Sequence, residues 1–136
     1  MLIARRDWTE CASYNRRGGR PDGANRLFAC TGIAAISMFV NAGQQETETW
    51  TLLVGPTLTR PQFHSAVGTG AITGVNINVQ ALPVNYSLRV NSTEADWDEE
   101  SGQVEMRFEV VGFVGSGTGS LNVNAIAFSA TILGQL

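Results

Sequence analysis

The 136-residue sequence predicts an all-β fold, a single-domain antiparallel β-sandwich over residues 1–136, and three observations carry that expectation. Apolar and polar residues alternate with a period of two through most of the second half of the chain, as a half-buried strand requires. Gly (15 residues), Thr, Asn, Ser and Val are frequent, which suits short strands and tight turns better than helices. Turn signals recur between the alternating segments, and a stretch with Pro56 and Pro61 in mid-chain reads as a crossover between two sheets. A jelly-roll-like connection of seven or eight strands is one way to meet these constraints.

The clearest element is Gln103 to Gly112. There Val104, Met106, Phe108 and Val110 share one face and Glu105, Arg107 and Glu109 the other. Together with Tyr86–Asp98 before it and Leu121–Leu133 after it, this segment predicts a C-terminal three-stranded meander. Apolar parity changes between Asn91 and Glu94 and again near Ala125, so a β-bulge is expected at each place. Glu99-Glu100-Ser101-Gly102 fits a type I turn closed by a left-handed Gly, and GSGTGS after Val114 reads as a hairpin tip.

The elements before this run follow in order. Met1–Arg6 is either a short edge strand or an arm docking on a neighbour, and Trp8, Cys11 and Tyr14 have the spacing of one helical turn around Thr9–Ser13. Asn15–Asn25 combines Gly-Gly, Arg-Pro and Asp-Gly and must be a loop, so residues 1–26 read as a basic arm and loop. Leu27–Asn41 is the most apolar stretch, with neither parity polar, and predicts a strand buried on both sides, against a domain core and against a second layer or another subunit. A short buried helix competes for the same residues. Glu46–Val54 alternates with Trp50 inward, Gly55–Thr69 is the extended crossover, and Ile72–Ala81 is a strand with an amide face that ends at Leu82-Pro83.

Charge narrows the function classes. Charged residues are only 15% of the chain, against the roughly 25% of ordinary domains, so this surface is poor in charge. All nine basic residues are Arg, which removes lysine Schiff-base chemistry and the P-loop lysine. Net charge is −3, which argues against sequence-independent nucleic-acid binding. Six Arg fall within residues 1–26 and seven acids within 94–109, two patches able to steer copies head to tail. No apolar segment of signal-peptide length follows Met1 and the run Gly32–Val40 is too short to span a bilayer, so cytosolic synthesis without a membrane partner is expected.

Candidate chemistry is sparse. Cys11 and Cys30 would close a loop worth about 3 kcal/mol as a disulfide, but a reducing cytosol favours two thiols. His64 is the single histidine, and neither a Cys/His pair nor a Ser/His/acid triad has the context of a nucleophile. Two Cys and one His match no zinc pattern, and Asp96, Asp98, Glu99 and Glu100 lack EF-hand spacing, so no metal and no cofactor is expected. Asp96 and Glu105 form a formal carboxylate pair near exposed turns, where neither would be tuned for glycoside hydrolysis.

The expectation that remains is a non-enzymatic structural subunit that associates with copies of itself. Its interface residues would be Arg16, Arg17, Arg20, Phe39, Asn76, Asn78, Asn122 and Asn124. In general style the sequence resembles bacteriophage virion components, capsid decoration or small tail and fibre proteins. That resemblance implies a homotrimer within a larger protein assembly, made in the cytosol and then carried in the virion. The competing class is a carbohydrate-binding, lectin-like module in which Trp50, Trp97 and Tyr86 stack on sugars beside the same asparagines.

Overall fold

The computed structural model describes residues 2–3, 5–15, 25–79, 85–116 and 119–135. Eight strands and no helix form among them: β1 (Leu2–Ile3), β2 (Arg5–Asn15), β3 (Asn25–Val40), β4 (Gln45–Val54), β5 (Phe63–Val79), β6 (Tyr86–Trp97), β7 (Val104–Val114) and β8 (Gly119–Gln135). They make two four-stranded sheets, ordered β1-β4-β7-β6 and β2-β3-β8-β5. Every pairing is antiparallel except that of β1 with β4, which is parallel. The β-sandwich expected from the alternation is therefore the architecture observed.

The core is filled from the central strands of both sheets. Cys30, Ala34, Met38 and Val40 of β3 and Leu121, Val123, Ile126 and Ile132 of β8 meet Leu52 and Val54 of β4 and Val104, Met106, Phe108 and Val110 of β7, all buried. Each contributes alternate residues, as an antiparallel sheet with one covered face demands. Parity changes where expected: β6 shifts register between Val90 and Ser92, and β8 passes from Val123 inward to Ile126 inward.

Four expectations need correction. The C-terminal meander does not form, because β6 and β7 pair in one sheet while β8 lies between β3 and β5 in the other. GSGTGS therefore leads from sheet to sheet instead of closing a hairpin. The crossover is short, since β5 starts at Phe63 and takes in residues that the prolines seemed to exclude. No helical turn spans Thr9–Ser13, which belongs to β2, paired with β3 from Arg5 to Asn15. Finally, Cys11 and Cys30 form a disulfide. The two are direct partners across β2 and β3, with Cα atoms 4.1 Å apart, so the register itself brings the sulfurs together.

One end of the sandwich is closed by the crossover. Leu58 is buried there, and Trp97 Nε1 donates to the carbonyls of Leu58 (3.0 Å) and Gly102 (3.2 Å). Gly102 has φ +73°, the left-handed conformation expected of the turn, and its carbonyl also accepts from Leu58 N at 2.8 Å. Gln103 Nε2 donates to Gly55 O at 2.8 Å, and the Arg60 guanidinium stacks over the Trp97 ring. One indole thus ties the crossover to the acidic turn.

Candidate interaction surface

The outward side of the β2-β3-β8-β5 sheet differs from an ordinary solvated face. β3 alternates strictly, its even positions from Phe28 to Val40 buried and its odd positions outside. The outward residues are Leu27, Ala29, Thr31, Ile33, Ala35, Ser37 and Phe39, with Phe39 54% exposed. Leu27–Asn41 is thus covered on one side by the core of its own chain, and no second layer of described strands lies on the other. Its second apolar face looks outward, with Leu27, Ile33 and Phe39 exposed.

β8 and β5 continue the pattern. Opposite Thr31 and Ile33 stand Ser129 and Ala127, and opposite these stand Thr69 and Ala71. Val67, opposite Thr131, is 68% exposed. Across β3, β8 and β5, strands of 16, 17 and 17 residues, Arg26 is the single formal charge. It stands opposite Gly134, which is buried, on the inward parity at the end of the sheet.

Five of the eight residues expected at an interface come together here. Phe39 pairs with Asn122 and Asn122 with Asn76, a row crossing β3, β8 and β5, and Asn78 stands one step along opposite Ser120. Asn124 leans across the bulge toward Gly74, where a side chain on the glycine would collide with its Oδ1. Asn122 Oδ1 is buried and accepts no hydrogen bond. An acceptor left in that state costs about 1–3 kcal/mol. Arg16, Arg17 and Arg20 lie outside the described residues. Their flanking strand ends, Asn15 and Asn25, sit at the end of the sandwich closed by the crossover: Asn25 pairs with Gln135, whose amide donates to Gln62 O. The acidic turn docks on Leu58 at that same end, so strand ends flanking the basic segment and the acidic turn share one pole.

The other candidates are not assembled as chemistry. Cys11 and Cys30 are consumed by their disulfide, and His64 is exposed at the start of β5. Asp98 is engaged within its turn, accepting from Ser101 Oγ (2.6 Å) and Ser101 N (2.9 Å), and these bonds hold its carboxyl below the ordinary range. Asp96 accepts from Trp97 N at 2.8 Å, and the described residues bring no three acidic, His or Cys side chains to one point suited to a metal. Asp96 and Glu105 are cross-strand partners, but Arg107 Nη2 lies 3.2 Å from Glu105 Oε1, in a shallow hollow of about 260 Å³ with Glu94 and Trp97. The sugar face also fails to form. Trp50 is 7% exposed in the core, Trp97 is pinned under Arg60, and both belong to the sheet opposite the asparagines.

No protein-family model matches this sequence, and no match was found among the curated proteins or the solved structures. No helix among the described residues is long and apolar enough to cross a membrane.

A further titrating group sits at the rim of the other sheet. Glu48, on the inward parity of β4 opposite Val110, has its pKa raised chiefly by burial. The Trp50 indole pulls it back down and Glu46 adds repulsion. Glu48 Oε2 and Trp50 Nε1 are nonetheless both buried without a partner in hydrogen-bond geometry.

The exposed apolar residues that sequence patterning missed are Leu27, Ile33, Val67, Ile77 and Val79. Their signal was present: residues 63–79 carry no formal charge, and Val67, Thr69 and Ala71 alternate with Ala66, Gly68, Gly70 and Ile72.

Proposed function

We propose that this chain is a non-enzymatic structural subunit that associates with copies of itself through the outer face formed by β3, β8 and β5. The observation that carries the reading is the single formal charge across the three strands β3, β8 and β5. Interface cores are depleted of charge, whereas surfaces that stay wet are not. Three strands of this length offer a footprint of about 800 Å², at roughly 3.3 Å per residue and 4.8 Å between strands, which matches the roughly 800 Å² per partner of a standard interface. Phe39, 54% exposed, supplies an aromatic anchor.

The setting that fits such a subunit is a bacteriophage virion, where it would be a decoration, tail or fibre component, with a homotrimer as one closed form of the assembly. The general likeness of a small, charge-poor β-sandwich supports this placement. Light scattering on the full chain tests the reading, with a mass of more than one chain expected. A strictly monomeric protein at the highest attainable concentration would overturn it.

A further inference from the structure

The two sheets end in edge strands that are protected very differently. An edge offers unpaired N–H and C=O groups to any extended chain, and charge, proline or brevity normally blunts it. β1 is two residues long, β2 carries Arg5, Arg6, Asp7 and Glu10, and β6 carries Arg89, Glu94 and Asp96. β5 has 17 residues with neither a formal charge nor a proline. Its ladder to β8 runs from Ser65 to Ile72 without a register shift. Beyond that ladder, the backbone of Ser65–Val79 makes no hydrogen bond among the described residues.

We infer that β5 pairs with β5 of a second copy, antiparallel about a two-fold axis through Thr69, so that two β2-β3-β8-β5 sheets become one sheet of eight strands. A two-fold axis normal to the sheet keeps outward residues outward only when it passes through a residue rather than between two. Thr69 lies within the shift-free stretch and faces outward opposite Ser129. Centred there, Thr69 meets its own copy, Val67 meets Ala71 and Ser65 meets Thr73 outside, while Gly68 meets Gly70 inside. No bulky or charged pair is opposed, and the exposed Val67 gains a neighbour. An overlap from Ser65 to Thr73 makes about eight to ten ladder hydrogen bonds, the number of a typical interface. The partner is a second copy because the pairing needs a strand free of charge over the same span. Among the four edges this chain supplies one such strand longer than two residues, and it is β5 itself.

This pairing rests on the self-association proposed above and adds a contact along the edge of the sheet to the one on its face. It predicts a two-chain unit rather than the trimer implied by the virion setting. The test is oxidative cross-linking of full-length Thr69→Cys, read as a covalent two-chain species that reduction removes. Directly opposed Cα atoms about 4.5–5.5 Å apart are within disulfide range, and the native cysteines are already bonded to each other. Val67→Cys and Ala71→Cys should each fail to cross-link alone and should cross-link when mixed. Association of the unmodified chain with no cross-link from Val67, Thr69 or Ala71 variants, alone or mixed, overturns the β5 pairing and leaves self-association standing. A monomeric unmodified chain overturns both.

Discussion

The two sheets of this sandwich bury the same kind of residue inward and show solvent opposite kinds of surface. Outward from the β1-β4-β7-β6 sheet point Glu94 and Asp96 of β6, and Glu105, Arg107 and Glu109 of β7, with Glu94 opposite Arg107 and Asp96 opposite Glu105. Outward from β3, β8 and β5 of the other sheet point alanines, hydroxyls, amides and the apolar Leu27, Ile33, Phe39 and Val67, while its edge strand β2 carries charge. Both faces satisfy the fold equally, because the core sees only the inward parity. The difference teaches that outward residues report what a face meets after folding. Charge on one side fits permanent contact with water, and its absence from the outward positions of β3, β8 and β5 fits contact with protein.

The largest expected effect is on association. Ala127 lies between Ile33 and Ala71 on the neutral face, so Ala127→Arg would put an unpaired charge into the contact. That should weaken association through the face by about 3 kcal/mol or more, read by light scattering as a fall in mass to no more than the two-chain unit paired along β5. Ser92→Arg on the charged face should leave the mass unchanged, and equal effects of the two substitutions would erase the contrast drawn above.

Reducing the Cys11–Cys30 bond, or replacing the pair with Ser and Ala, removes a covalent tie at the edge of the neutral sheet. A loss of about 3 kcal/mol is expected in denaturant unfolding, with nothing comparable from any single change on the charged face. Trp97→Phe should cost about 1–2 kcal/mol, because the Leu58 and Gly102 carbonyls lose their indole donor.

Glu48→Gln should stabilise the chain at neutral pH. The folded protein holds the Glu48 carboxyl above its ordinary 4.5, so ionisation opposes folding as pH rises through and beyond that value. Melting temperatures of wild type and variant should converge as pH falls below 4.5, and a constant gap would mean that burial of the charge is not the cause. The smallest effect belongs to Glu105→Gln. Its ion pair with Arg107 joins side chains 27% and 43% exposed, and such pairs contribute under about 1 kcal/mol.

Much of the fold was legible because parity is a local property. Val104, Met106, Phe108 and Val110 alternate without interruption, and each is buried in the structure. The bulge in β6 was recognisable because a single extra residue there exchanges the two faces, and the structure puts it at Asn91. Partnership between strands was not legible. β7 and β8 each bury alternate residues whether they lie side by side or face each other across the core, so a short glycine-rich link looked like a hairpin. β5 was read late because Ser65, Gly68 and Gly70 resemble loop composition. Gly68 and Gly70 are small for another reason, since a side chain on either would strike Met106 or Phe108 of the opposite sheet. The disulfide needed the register of β2 on β3, which no spacing along the sequence reveals. Within the candidate surface, the asparagines and Phe39 were identifiable by type, while their alignment across three strands depended on β8 lying between β3 and β5.

The cysteine bridge makes the rigidity of one border depend on chemistry outside the molecule. Where glutathione keeps thiols reduced, β2 is fastened to β3 by its backbone ladder alone. Once the surroundings turn oxidising, the same contact becomes permanent without any rearrangement, because the register has already set the two residues opposite each other. A copy that meets both environments would arrive in the second one sturdier than it was in the first.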